Sequence, residues 1–111
     1  MLTLPIKKKW FDMIVKGEKA EEYRAIKPYY RTRFQNIGLL DPEGFASGHY
    51  SIINLRNGYS MKDPTLVVTV ILDIGEGKEE WGAQKGEVYY ILKIVEHHVI
   101  IVDGKLSYKY K

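Results

Sequence analysis

The chain has 111 residues, of which 45% are hydrophobic and 28% are charged, and it contains no cysteine. This length predicts a single domain over residues 1–111, and the composition is that of a globular protein rather than a disordered one. Without cysteine, disulfide bonds and thiolate metal sites are excluded. The net charge of +3 is concentrated in residues 1–33, which carry nine lysines and arginines against four acids. A basic segment of this kind is typical of proteins that bind a polyanion, although it also serves solubility.

The sequence predicts no membrane segment. The longest apolar-rich stretch, residues 66–74, is too short to span a bilayer and includes a threonine and an aspartate. Residues 1–9 are not followed by the apolar run of a signal peptide. We therefore expect a cytoplasmic protein with no membrane partner.

The N-terminal part of the chain predicts a strand followed by a short amphipathic helix. Residues 2–4 are expected to be extended, and Pro5 suits the first turn of a helix. Apolar residues recur at helical spacing over residues 6–16. Gly17 is the expected end of this helix, because glycine readily takes the left-handed conformation that follows a helix end.

A second extended segment and a second helix should follow, and strands should make up the rest. Residues 21–25 are predicted to be extended, Pro28 to begin a helix that continues to about residue 35, and residues 40–49 to form a loop. Turn signals at Asn57-Gly58 and Asp103-Gly104 separate later strands. Helices early and antiparallel strands late indicate an α+β domain with a small curled sheet or barrel. These later strands are expected over residues 51–56, 66–74, 87–95, 99–102 and 105–108.

Residues 17–24 carry the most informative pattern, Gly-Glu-Lys-Ala-Glu-Glu-Tyr-Arg, which reads G-x-K-x-x-E-x-R. In an extended chain, side chains two residues apart point the same way, so Glu22 and Arg24 can share a face, with Lys19 close by. Two cations beside a carboxylate form a candidate anion-recognition site that includes an acid/base group. An ordinary solvated charged surface is the alternative explanation of the same spacing.

This pattern matches the hallmark of the activating signal cointegrator homology (ASCH) domain family at all four of its fixed positions: Gly17, Lys19, Glu22 and Arg24. The chain resembles that family over essentially its whole length, because further segments also correspond: Leu4-Pro5-Ile6-Lys7, Trp10-Phe11, Pro28-Tyr29-Tyr30 and Trp81-Gly82. The resemblance implies a small, mostly antiparallel β-barrel similar to the pseudouridine synthase and archaeosine transglycosylase (PUA) domain, with two short helices near the N-terminus. It also implies that RNA or a nucleotide binds in a basic cleft around the motif.

The resemblance leaves an enzymatic function open as an alternative. One branch of the wider family hydrolyses the acyl amide of acetylated cytidine with a threonine nucleophile, a neighbouring lysine and a glutamate from a later strand. The lysine would correspond to Lys19, but Glu22 occupies the position of the threonine, and a carboxylate is not the alkoxide nucleophile of that scheme. Other members are reported to cut RNA. A small amidohydrolase or ribonuclease would then use Glu22 as general base and Lys19 to stabilise the developing anion.

Within the motif, Lys19 and Arg24 are the expected ligand contacts. A guanidinium offers a planar fork to a phosphate or a base edge, and an ammonium offers a mobile charge. The alternative for Arg24 is a structural ion pair with Glu21 or Glu22. Glu22 is expected to accept a hydrogen bond from a cytosine-like exocyclic amine, or only to hold the two cations in place. Gly17 is expected to cap the helix and also to permit close approach of a ligand.

Other candidate contacts lie outside the motif. Trp81, in a polar loop, is either a lid over the end of the barrel or a stacking platform for a base. No cofactor or metal site is predicted, because the adjacent His97-His98 should point to opposite faces of a strand. The remaining candidates are basic or polar side chains expected to contact phosphates or to line the same cleft: Lys9, Arg31, Asn54 and Arg56.

Overall fold

Two short helices and a mixed six-stranded sheet make up residues 1–107, the part of the chain that the computed structural model describes. The α+β class expected from the sequence is confirmed. The last predicted strand extends to Tyr108, which lies outside the described residues. In chain order, the elements are β1 (Thr3–Pro5), α1 (Lys8–Val15), β2 (Glu21–Ala25), α2 (Pro28–Asn36), β3 (Tyr50–Arg56), β4 (Thr65–Glu76), a 3-10 turn (Glu79–Trp81), β5 (Val88–Val102) and β6 (Lys105–Ser107).

The strands pair in the order β1-β3-β4-β5-β2, and β6 also pairs with β5. Most neighbours are antiparallel, and the pair β1–β3 is parallel. β1 and β2 are therefore the two ends of this path. In the described part of the chain no ladder joins them, so strand pairing does not close the sheet.

β5 is one continuous strand, whereas the sequence predicted two, over residues 87–95 and 99–102. That prediction was wrong because β5 accommodates its irregular positions as β-bulges. Its register with β4 skips Val95 and His98, so each lacks an opposite residue. Bulges bend a strand and increase its twist, and here they curl the sheet near its middle.

One local prediction needs correction, and it concerns how a strand ends. Pro5 is the last residue of β1 rather than part of a helix, and it pairs with Arg56. An edge strand tolerates proline because no N–H is required on its free side. Asn57-Gly58 directly follows the end of β3, as its turn signal predicts. It begins the loop 57–64, which the Asn57 N–H closes by donating to the Pro64 carbonyl at 2.9 Å.

The core lies where the helices pack against the sheet. α1 contributes Phe11 and Ile14, three residues apart on one helix face, and α2 contributes Phe34. Along β4, buried and partly exposed residues alternate from Leu66 to Leu72, so the even-numbered side chains face this core. The helices thereby fix the segments before and after β2, where the motif lies. Among residues 1–107, no helix has the length and hydropathy needed to cross a membrane.

Candidate functional site

A cleft of about 420 Å³ opens beside β2, and its volume is in the range of pockets that hold a small organic ligand. The cleft lies where the end of β1, the start of α1, β2, α2 and the 3-10 turn meet. Its lining combines aromatic rings with two charged motif residues. The lining residues are Pro5, Ile6, Lys7, Trp10, Glu22, Tyr23, Arg24, Tyr30, Tyr59, Trp81 and Gly82.

Three motif side chains form a hydrogen-bonded chain at this cleft. The Lys19 ammonium donates to Glu22 Oε1 at 2.5 Å, and Arg24 Nη1 donates to Glu22 Oε2 at 2.6 Å. Glu22 and Arg24 share one face of β2, as the alternation of side chains predicts. Lys19 reaches the same carboxylate from the turn that follows α1. The two cations therefore hold Glu22 from both sides.

Lys19 lies behind Glu22 rather than in the cleft. Its side chain is 0% exposed, and its Nζ lies 5.2 Å from the ring centroid of Trp10 and 5.6 Å from that of Tyr23. Burial lowers the pKa of Lys19 below its ordinary value, and the attraction of Glu22 offsets part of that effect. In this conformation Lys19 can act on a ligand only through Glu22.

Arg24 connects the two ends of the sheet. From β2, its Nη2 donates to the Pro5 carbonyl in β1 at 2.8 Å, and its Nη1 also donates to the Tyr23 carbonyl at 2.8 Å. A guanidinium has five N–H donors, and the contacts to Glu22, Tyr23 and Pro5 engage three of them. Within residues 1–107, the Nε–H and one Nη2–H have no hydrogen-bond partner. Since Arg24 lines the cleft and is 13% exposed, a ligand in the cleft can reach its side chain.

Glu22 supplies acceptors next to those donors. Each of its carboxylate oxygens accepts one charge-assisted bond from a cation and retains a second lone pair. The carboxylate is 7% exposed and lines the cleft. The floor of the cleft therefore presents an acceptor beside a donor, which is the complement of a planar ring edge that carries an N–H next to a ring nitrogen or carbonyl.

Aromatic side chains form the walls, and three of them are fixed in place by other groups. The Trp81 Nε1–H donates to the Glu18 carbonyl at 3.0 Å, and the Lys78 ammonium lies 4.3 Å from the Trp81 ring centroid. Trp10 packs against Gly82, where an added Cβ would come within 3.0 Å of the indole. Tyr30 stacks on Phe34 with ring centroids 5.9 Å apart. Trp81 thus lines the cleft from the 3-10 turn, and its role as a lid or as a stacking platform stays a prediction.

Comparisons with models of protein families, with curated proteins and with solved structures find no significant match to this chain. The resemblance to the ASCH family therefore stays a prediction from the motif.

Besides Lys19, three predicted contacts from the N-terminal third of the chain lie outside the cleft lining. Gly17 follows α1 with a φ of +78°, and an added Cβ there would meet nothing within 4 Å. It acts as a helix cap, and no close neighbour requires its small size. Lys9 is exposed, and its Nζ lies 4.6 Å from the Trp10 ring centroid. Arg31 donates to the Glu43 carbonyl at 3.0 Å and packs against Gly44.

Asn54 and Arg56 lie on β3 beside β1 and serve the sheet rather than the cleft. Asn54 Nδ2 donates to Thr3 Oγ1 at 3.2 Å, and the Asn54 Oδ1 is buried without a partner in the described residues. Arg56 Nε donates to Thr65 Oγ1 at 2.9 Å. Neither lines the cleft.

Four residues that line the cleft were not predicted from the sequence: Lys7, Tyr30, Tyr59 and Gly82. Tyr59 carries a signal that resembles that of Trp81, a large aromatic in a polar loop next to glycine. Tyr30 follows Pro28 and Tyr29 in the first turn of α2, where its sequence signal is that of an ordinary helix residue. Lys7 belongs to a run of three lysines whose members the sequence does not distinguish.

His97 and His98 line a separate, smaller groove of about 200 Å³ at the far end of β5. Burial lowers the pKa of His97, and His98 Nε2 lies 2.6 Å from Thr69 Oγ1. Because His98 occupies a bulge, the simple alternation used to separate the two rings does not apply there. Among residues 1–107, no group of three or more potential ligands is arranged to hold a metal ion.

Proposed function

We propose that this protein is a nucleotide-recognising RNA-binding module of the ASCH type, with a PUA-like fold. The observation that carries the proposal is the Lys19–Glu22–Arg24 chain at the floor of an aromatic cleft. Such a floor offers a buried acceptor and two free donors to the edge of one base. The aromatic walls offer faces on which a base can stack.

The charges around the cleft favour an anionic ligand. Lys19 and Arg24 exceed Glu22 by one positive charge, and Lys7 adds another at the exposed rim. Within the described residues Lys7 has no ion-pair partner, so its ammonium is available to a phosphate. In such a complex the base would bind Glu22 and Arg24 at the floor of the cleft, and its phosphate would bind Lys7 at the rim.

The curled sheet supports a PUA-like assignment of the fold. β1 and β2 are the two ends of the strand order, and the hydrogen bond from Arg24 on β2 to the Pro5 carbonyl on β1 joins them through one side chain. A sheet curled to this extent approaches a small barrel without the final ladder.

Binding of a short unstructured RNA and of nucleoside monophosphates, measured by calorimetry, tests this function. We expect Glu22→Gln to weaken nucleotide binding by about 5- to 150-fold, because it replaces a charged acceptor that contacts the base edge. Glu96→Gln is the matched control, since Glu96 is exposed on β5 outside the cleft. Failure of the wild-type protein to bind any RNA or nucleotide would contradict the proposal.

A hydrolase acting on a modified nucleoside or on RNA is the second candidate function. The observation that favours it is a buried lysine of lowered pKa hydrogen-bonded to a carboxylate that lines a cleft, since perturbed groups of this kind cluster at active sites. In that case Glu22→Gln abolishes turnover while nucleotide binding is largely kept. A binding module instead shows no turnover in the wild-type protein.

A further inference from the structure

Tyr59 differs from the other aromatic residues of the cleft because its ring is left uncovered. It lines the same cleft as Trp10, Tyr30 and Trp81, yet it is 89% exposed. In residues 1–107 it takes part in no ring contact or side-chain hydrogen bond, whereas each of the other three is fixed by a neighbour. A large apolar surface therefore stands at the mouth of the cleft without a packing partner.

The loop that carries Tyr59 is built from internal contacts. The Ser60 N–H donates to Asp63 Oδ2 at 2.9 Å, and the Asp63 N–H donates back to the Ser60 carbonyl at 2.9 Å. The Asp103 N–H donates to the Lys62 carbonyl at 3.0 Å and attaches the loop to the last hairpin. Gly58 has a φ of +127°, and the Asp63 carboxylate fills the space where a Cβ would lie. The loop thus presents Tyr59 from a fixed base.

We infer that Tyr59 stacks on the nucleobase held at the cleft floor, so that the ligand is an unstacked base of a single-stranded nucleotide. This inference rests on the proposed function. Glu22 and Arg24 would engage the edge of the ring, and Tyr59 would cover one of its faces. An unstacked base exposes both its faces and its hydrogen-bonding edge, which is the form that such an arrangement recognises.

The inference predicts that Tyr59 acts on the base and not on the sugar or the phosphate. The experiment compares the affinity for a nucleoside monophosphate with that for ribose phosphate, which lacks the base. In the wild-type protein the nucleotide should bind more tightly. Tyr59→Leu should reduce this ratio by about 5- to 150-fold, the range of one base–aromatic stack, and leave ribose phosphate binding unchanged.

Two further variants complete the test. Tyr59→Phe keeps the ring and should retain the wild-type ratio. Met61 lies on the same loop, is 81% exposed and is outside the cleft lining. Met61→Leu should therefore also retain the wild-type ratio. Thermal unfolding of each variant checks that the loop substitutions leave the fold intact.

The outcomes separate this inference from the proposed function. If the wild-type protein binds the nucleotide and Tyr59→Leu leaves the ratio unchanged, the stacking role is overturned while the proposed function stands. Equal weakening of both ligands by Tyr59→Leu would also overturn it, since the effect would then not come from the base. A wild-type protein that binds neither ligand overturns the proposed function and this inference together.

Discussion

At the scale of single residues, the cleft depends on a lysine that never reaches its surface. Lys19 is fully buried, and its charge is offset mainly by Glu22. Removing a charged group from water is costly, and a buried pair repays that cost only with good geometry and further hydrogen bonds. Glu22 has those bonds, since it also accepts from Arg24. The motif lysine is therefore best understood as the group that orients the carboxylate.

The buried position of Lys19 predicts how stability depends on pH. Because its pKa is lower in the folded protein than the ordinary 10.5, the unfolded chain binds more protons between those two values. The free energy of unfolding of the wild-type protein should therefore rise with pH in this window, by at most about 1.4 kcal/mol per pH unit from this group. Below the folded pKa, Lys19 contributes no slope.

Urea denaturation of the wild-type protein and of Lys19→Met between about pH 8 and pH 10.5 measures this effect. The stability of the wild-type protein should increase relative to that of the variant as the pH rises. Tyr23, whose pKa is raised mainly by burial, acts in the opposite direction only above its unfolded value of 10.0. Tyr23 is present in both proteins, so parallel curves for the two over the whole range up to pH 10.5 would contradict a lowered pKa of Lys19.

At the scale of secondary structure, the sequence predicts regular elements well and misses what depends on distant partners. The periodicity of α1, the extended segment 21–25 and Pro28 at the start of α2 are local signals, and the structure agrees with each. Pro5 was assigned to a helix because nothing local shows that it pairs with Arg56, which lies far along the chain. The bulges that make β5 continuous also depend on the register with β4.

The same distinction holds for the candidate site. Glu22 and Arg24 are on one face because they are two residues apart on a strand, so the spacing alone places them together. Asn54 and Arg56 are also two residues apart on a strand, and the same reasoning predicts that they line the cleft. In the structure, however, Asn54 donates to Thr3 of the paired strand β1, and Arg56 donates to Thr65. Tyr59 reaches the cleft through a loop whose path no local pattern predicts.

The end of α1 gives a prediction at this scale. Gly17 has a left-handed φ of +78° in open space, so a side chain there is strained but does not collide. We expect Gly17→Ala to lower the free energy of unfolding by about 1–2 kcal/mol, and Gly17→Asn to cost less because asparagine tolerates this conformation. Nucleotide affinity should be unchanged in both, since Gly17 does not line the cleft.

Denaturation and calorimetry on the same two variants measure these effects. A loss of affinity in the more stable asparagine variant would show that Gly17 approaches the ligand directly. That result would support the prediction from the sequence that Gly17 permits close approach of a ligand.

At the scale of the whole molecule, the net charge of +3 arises from an excess of cations in the N-terminal third of the chain. This segment contributes Lys7, Lys19 and Arg24 to the cleft or to the layer behind it. The acidic residues of β4 and β5, which are Asp73, Glu76 and Glu96, do not line the cleft. An anionic polymer is therefore attracted toward the face that carries the cleft.

This charge distribution predicts a salt dependence of RNA binding. For single strands, the logarithm of the affinity falls with the logarithm of the salt concentration with a slope of about −0.7 per neutralised phosphate. Lys7→Ala should make that slope shallower by about 0.7, because it removes one phosphate contact at the rim. Lys105→Ala, an exposed lysine on β6 outside the cleft lining, should leave the slope unchanged. Equal slopes for wild type and Lys7→Ala would exclude the rim contact.

The link that Arg24 makes between β2 and the Pro5 carbonyl has a consequence for how this protein can evolve. The same guanidinium lines the cleft, so under the proposed function selection for ligand binding and selection for folding would act on one side chain. A lysine would keep the charge, but it lacks the planar fork that engages Glu22, Tyr23 and Pro5 together. New specificities in descendants of this chain should therefore arise on the rim, at positions such as Lys7 and Tyr59, while the arginine stays as it is.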